Sequence, residues 1–178
     1  KPVVIRGVLP NMESHVSEVA HQMREGSLAA LRAGASNIVL GSALARALGV
    51  RTGERITVLT AAPAAPGEGG AAGMLPRPHT FTVAGIFEAG HYQFDSTLAF
   101  VYLDDAERLQ GTAEPSGLRL RLADMDAAPR VALELKRSMS GDLIMRDWSR
   151  VSATWFAAVQ SQKRMMFVIL AMIVAVAA

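Results

Sequence analysis

ERITVLT at Glu54–Thr60, AAPAAPGEGGAAGMLPRPHT at Ala61–Thr80 and FTVAGIF at Phe81–Phe87 form one continuous run of the chain. The two flanks alternate in the period-two pattern of half-buried strands. Between them, four Pro and four Gly are expected to prevent regular structure, because Pro removes a backbone donor and Gly prefers no single conformation. The run therefore reads as two hairpin strands joined by a loop of about twenty residues, far longer than the usual connection. Loops of that length are either functional or disordered, and a merely solvated tip needs no apolar side chains. Met74 and Leu75, set beside Pro76, Arg77 and Pro78, mark the distal part of this loop as a candidate contact surface.

On the N-terminal side, Val3–Arg6 is β-branched and apolar and meets Gly7, so a strand should end there in the turn around Pro10 and Asn11. This strand has no obvious partner nearby, and part of the fold is expected to lie upstream. Ser14–Arg24 places Val16, Val19, Ala20 and Met23 at helical spacing and stops before Gly26. Asn37–Leu40 reads as a strand, and Ser42 is placed to cap a helix through Leu48 with Gly49 just past its end.

On the C-terminal side, Leu98–Leu103 (LAFVYL) is a buried-strand run, and Asp104, Asp105 and Glu107 fit the first turn of a short helix through Leu109, where carboxylates meet the positive end of the dipole. Leu118–Leu122 (LRLRL) alternates strictly, which predicts a strand with its leucines buried. Ala127–Arg137 is an amphipathic helix with Val131, Leu133 and Leu135, and Asp142–Met145 reads as a further strand. The order strand, helix, strand between Gly117 and Arg146 makes a compact α+β unit, and the fold class is α+β.

The chain has 178 residues, 51% of them hydrophobic, enough to bury a core without staples. The net charge is +2 with Lys and Arg dispersed, which leaves no electrostatic footprint for nucleic acid. With zero Cys, a disulfide framework, a thiol nucleophile and a thiolate metal site are all excluded. From Ser152 onward the sequence holds neither Gly nor Pro, so one helix should run into Met165–Ala178 (MMFVILAMIVAVAA), which follows Lys163 and Arg164. A bilayer-spanning helix needs roughly 20 apolar residues. This run is still apolar at the last residue and reads as the start of a transmembrane helix; a helix buried in protein is the alternative.

Reactive constellations are not apparent, so no catalytic residues, cofactor or metal are assigned. His15 and His21 lie about 240° apart around one helix and cannot chelate one ion. His91, Asp95 and Ser96 lack any nucleophile-turn signature and read as a polar loop between strands. No GxxxxGK[ST] phosphate loop occurs, so an ATPase would have to be another chain.

Three segments together resemble the LolC/LolE permease family of lipoprotein-releasing ABC transporters: VVIRGVLP at the start, FTVAGIFEAGHYQFDSTLAFVYLDDAERL after the loop, and DWSRVSATWFAAVQSQKRMMFVILAMIVAVAA at the end. LGSALARALGVRTGERITVL is shared more widely with MacB-like permeases. The resemblance implies a MacB-like periplasmic domain with a porter-like α+β lobe and an inserted β-rich lobe. Residues 1–116 would be mainly the β-rich lobe with a hook-like loop at 61–80, residues 117–150 the porter-like lobe without its N-terminal part, and residues 151–178 the helix leading into the membrane. It also implies a non-catalytic subunit in the bacterial inner membrane. Its implied partners are the ATPase LolD, a LolE-like subunit or second permease copy, the lipoprotein substrate and the periplasmic chaperone LolA. In LolC-type subunits a protruding hook binds the chaperone, and Gly73, Met74, Leu75, Pro76, Arg77, Pro78 and His79 would be its tip. The sequence departs from the family pattern beside the hook, where polar Gln and Arg positions are replaced by Pro78 and His79. A MacB- or FtsX-like domain that transmits force to other partners is the alternative use of the same architecture, and the long hook-like loop argues against it.

Overall fold

The computed structural model describes residues 2–63, 74–112, 114–139, 144–147 and 153–177. They fall into two units, Lys1–Arg121 and Leu122–Ala178.

The first unit is built on a mixed sheet of β1 (Val4–Val8), β2 (Met23–Gly26), β3 (Asn37–Gly41), β4 (Arg55–Pro63), β5 (Met74–Phe87) and β6 (Leu98–Tyr102). The order runs β1-β6-β3-β5-β2, with β4 also paired to β5. β1–β6 and β3–β5 are parallel, and β6–β3, β5–β2 and β4–β5 are antiparallel. Helices α1 (Pro10–Val16), α2 (Ser42–Leu48), α3 (Tyr92–Thr97) and α4 (Leu103–Gln110) accompany it.

The central strands are apolar on both faces because both faces are covered. Ile38, Leu40, Ala99 and Val101 join Leu44, Phe81, Val83 and Leu109 in one cluster. The alternate residues Val39, Leu98 and Phe100 join Val8, Leu28, Leu31 and Phe87 in the other. This explains why NIVL and LAFVY read as continuous apolar runs while ERITVLT alternates. Gly49 ends α2 at φ 69°, a left-handed cap that satisfies the last carbonyls through its N–H.

Several expectations change. β1 does have a partner, β6, which pairs Val4 with Leu98 in a parallel register. The helix expected over Ser14–Arg24 is instead α1, starting at Pro10 and stopping where Ser17 turns extended (φ −129°, ψ 155°), followed by a 3-10 turn and then β2. Tertiary pairing of Met23–Gly26 with β5 overrides the helical spacing. Ser42 is the first residue of α2 rather than its cap, and Gly41 occupies the cap position. Leu118–Leu122 is not a strand. Arg119 Nη1 approaches Glu13 Oε1 at 3.5 Å and Arg121 Nη2 approaches Glu18 Oε1 at 2.9 Å, and Leu118 and Leu120 stay exposed. With no strand edge pairing it among the described residues, the alternation is satisfied by charge instead.

Asp105 joins α4 to the turn that enters β3. It is buried, with its carboxylate in contact with Arg108 at 3.4 Å and near the backbone N–H groups of Gly34 and Ser36. Burial pushes its carboxyl above the ordinary aspartate range, and the neighbouring Asp104 adds to this, while Arg108 and the two N–H groups oppose it. A raised folded-state value means that the folded protein holds the proton more tightly than the unfolded chain. The contribution of Asp105 is therefore fully present below the unfolded aspartate value and is lost as pH rises through the folded value. Asp105→Asn, which does not titrate, is expected to gain stability relative to the parent as pH is raised from about 4 to 7. Urea unfolding at both pH values checks this, and a parent–variant difference that stays constant would contradict it.

The second unit contains α5 (Ala128–Ser138) and α6 (Ala153–Ala177). α5 begins with Pro129 in its first turn and ends with Lys136 and Arg137 in its last, both favourable placements. It matches the expected helix. Of the expected strand at Asp142–Met145, Asp142 and Leu143 lie outside the described residues, and Ile144 and Met145 are not in a strand. Met165–Leu170 and Met172–Val174 are exposed along α6. Among the described residues, no helix is long and apolar enough to cross a membrane.

Candidate partner-binding site

Much of the expected loop at 61–80 is strand. β4 runs on to Pro63 and β5 starts at Met74, and their pairing continues without a bulge from Arg55↔Thr82 to Pro63↔Met74. The two strands thus form an antiparallel arm that extends past the part of β5 paired with β3, which begins at Thr82. Residues 64–73 lie outside the described residues.

Register explains how proline is tolerated here. Thr82 donates its N–H to the Ser36 carbonyl at 2.9 Å, away from β4, whereas Val83 donates to the Glu54 carbonyl on the β4 side at 2.8 Å. Even-numbered residues of β5 therefore turn their main-chain groups away from β4, and so do the odd-numbered residues of β4 that face them. Pro76 faces Ala61, Pro78 faces Leu59, and Pro63 faces Met74. All three prolines fall on rungs that make no ladder hydrogen bond, so none removes a donor the arm uses. The sequence count of Pro and Gly missed this because their effect depends on register.

The proposed tip residues fall on the arm as follows. Gly73 lies outside the described residues, and Met74, Leu75 and Pro76 occupy the first positions of β5, opposite Pro63, Ala62 and Ala61. Arg77 and Pro78 are exposed and His79 is half-buried, opposite Thr60, Leu59 and Val58. Leu59, which the sequence reading did not single out, is 68% exposed on the same rung as Pro78. Alternation places it with Arg55 and Thr57 on the solvent face, opposite Ile56 and Val58, so it is an apolar residue out of phase with the core-facing set. Toward the base, Ile56 and Val58 pack against the core cluster that holds Phe81, which anchors the arm.

A separate feature, an open groove of about 1050 Å³, runs along β1 and is lined by Val4, Arg6, Met12, Glu13, Leu103 and Arg119 among others. Burial and the Arg119 cation lower the Arg6 guanidinium from its ordinary value, and Glu13 pulls it back up. Glu13 thus sits between two arginines as a counter-charge, which accounts for a buried carboxylate on α1. The imagined His91–Asp95–Ser96 arrangement is not assembled. These residues lie at and within α3 rather than in a loop; Asp95 Oδ1 accepts the Ala89 N–H at 2.7 Å, Ser96 donates to the Gln93 carbonyl at 3.3 Å, and His91 stands edge-on to Phe94 with ring centroids 6.1 Å apart.

The profile of the MacB-like periplasmic core domain matches residues 1–138. The chain belongs to the MacB-like periplasmic core domain family. This MacB-like domain is 40% identical over 178 residues to the lipoprotein-releasing system transmembrane protein LolC of Neisseria meningitidis serogroup B. It is 35% identical over 178 residues to the LolC protein of Xylella fastidiosa. The alignments cover 99% and 100% of the MacB-like chain, respectively, and 42% of each relative. The chain thus spans about two fifths of the length of these curated relatives. The resemblance read from three segments extends over the whole chain and is of the LolC type, and the α+β class and MacB-like architecture agree with it.

Proposed function

We infer that this is the periplasmic domain of a LolC-type permease subunit in the bacterial inner membrane, and that its β4–β5 arm recruits the periplasmic lipoprotein chaperone LolA. The observation that supports this most strongly is the arm itself: a proline-stiffened two-stranded projection with exposed Leu59, Arg77 and Pro78 in a chain of LolC type. A pre-ordered arm loses little conformational freedom on binding, so its apolar residues are effective anchors for a partner with an apolar cavity. A chaperone that carries acyl chains needs such a cavity. Met74 and Leu75 are the proposed anchors, Pro76 and Pro78 fix the backbone, and Gly73, Arg77 and His79 complete the tip.

In this account residues 1–116 are mainly the β-rich lobe that bears the arm, residues 117–150 belong to the porter-like lobe, and α6 is the beginning of a membrane helix. The chain performs no covalent chemistry. ATP hydrolysis in a separate LolD-type subunit moves the membrane helices, α6 passes that motion to the domain, and a LolE-like subunit or second copy completes the permease. The lipoprotein leaves the membrane and passes to the chaperone held at the arm.

A photo-crosslinker at Leu75, with a control on α5 at Leu133, tests this with the purified chaperone. An adduct at Leu75 alone is expected. Equal or absent crosslinking at the two positions would favour a MacB- or FtsX-like force-transmitting role instead.

A further inference from the structure

The two edges of the arm differ in their main chain. On β5 the outward-facing residues are Met74, Pro76, Pro78 and Thr80, and two of these four have no N–H to offer. On β4 the outward-facing residues are Arg55, Thr57, Leu59 and Ala61, and every one retains its N–H; Pro63 interrupts this edge only at its end. Among the described residues β4 pairs with β5 alone, and no hydrogen bond engages the outward N–H groups of Thr57 and Leu59. Arg55, Thr57 and Leu59 are all exposed.

A free strand edge is a template for another strand, and proteins that gain nothing from it close the edge with proline, charge or a covering element. Here proline closes one edge of the arm and leaves the other open. We propose that the β4 edge from Arg55 to Ala61 is a strand-addition surface, to which the chaperone held by the arm contributes an extended segment. Its main chain pairs with the N–H and C=O groups of Thr57 and Leu59. Leu59 provides a place for an aliphatic side chain of that segment, and Arg55 at the base of the edge selects an acidic one. The inference rests on the chaperone-recruiting reading above and adds the mode of engagement: backbone pairing gives affinity, and the Leu59 and Arg55 side chains give register.

The register that tolerates Pro63, Pro76 and Pro78 supplies the test. Leu59→Pro removes an outward N–H and leaves every β4–β5 hydrogen bond in place, and Leu59→Ala removes the side chain but keeps the N–H. In the intact, detergent-solubilised protein that contains this chain, Leu59→Pro is expected to weaken binding of the purified lipoprotein chaperone by roughly tenfold or more, and Leu59→Ala by only a few-fold. Amide hydrogen exchange is read alongside: on chaperone binding, the Thr57 and Leu59 amides should gain protection, and that of Val58, already bonded to β5, should not change. If the parent binds the chaperone but Leu59→Pro binds as tightly, or the Thr57 and Leu59 amides gain no protection, strand addition is overturned and chaperone recruitment stands. If the parent does not bind the chaperone at all, both fall. Protection of these amides without chaperone, rising with protein concentration, would assign the edge to a second copy of this chain and overturn the proposal as well.

Discussion

Phe100→Ala is expected to lower the free energy of unfolding by about 4 kcal/mol, within the range for truncating a fully enclosed aromatic side chain. Phe100 is 0% exposed and sits on β6 between β1 and β3, opposite Arg6 on one side and Val39 on the other. Its ring meets that of Phe87 edge-on, with centroids 5.4 Å apart and planes at 66°. The variant loses the apolar burial, the aromatic pair and the close packing that keeps the cluster free of voids. For a chain of this length the thermal midpoint should fall by about 8–16 °C. Denaturant unfolding followed by far-ultraviolet circular dichroism checks it, and a loss below about 1 kcal/mol would mean that the cluster around Phe100 collapses without cost or is not packed as described.

Gly41→Ala should cost about 3 kcal/mol, although it adds a single methyl group. Gly41 ends β3 and leads into α2, and a Cβ there would lie 2.3 Å from the Asp95 carbonyl oxygen and 2.7 Å from its Cα. The obstacle is backbone, and it cannot easily retreat, because Asp95 is buried in α3 and its carboxylate holds the Ala89 N–H. The informative comparison is Ala43→Gly, in the first turn of the same helix, where the helix preference of about 1 kcal/mol and the burial of one methyl group, roughly 0.8 kcal/mol, are lost. The account expects the added methyl at 41 to be worse than the deleted one at 43. The reverse order in thermal unfolding would show that α2 and α3 are not in close contact at Gly41.

The sheet was legible where local pattern and tertiary role agree. Asn37–Gly41 and Leu98–Tyr102 are buried on both faces, so their apolar runs declare them, and the Asp104–Asp105 pair declares the start of α4. Pairing was not legible. β1 joins β6 across most of the unit's length, and no local signal in VVIRG names that partner. Met23–Gly26 reads as the end of a helix because its neighbours are at helical spacing, and only the edge of β5 makes it a strand. LRLRL misleads for the opposite reason: a strand needs a partner edge, and Glu13 and Glu18 offer its arginines charge instead.

The candidate site was legible in composition and misread in form. Met74 and Leu75 among prolines marked a candidate contact surface, while counting Pro and Gly suggested an irregular loop. An arm results because Pro63, Pro76 and Pro78 all fall on rungs without ladder hydrogen bonds, a property of register that composition does not reveal. Leu59 is out of phase with the core-facing Ile56 and Val58, and the period-two alternation itself puts it on the solvent face with Arg55 and Thr57.

Shortening the arm tests the central claim most directly. Replacing residues 61–76 with Asn-Gly joins Thr60 to Arg77 across a hydrogen-bonded rung, the closure suited to a two-residue type I′ turn. The buried cluster around Phe81 lies at the base of the arm and is untouched, so the thermal midpoint should stay within a few degrees of the parent. If the distal half of the arm, with Met74 and Leu75, recruits the lipoprotein chaperone, the shortened protein folds and binds it far more weakly, with only the Arg55–Thr60 edge left to engage it; a folded, shortened protein that binds the chaperone as tightly as the parent would contradict the account.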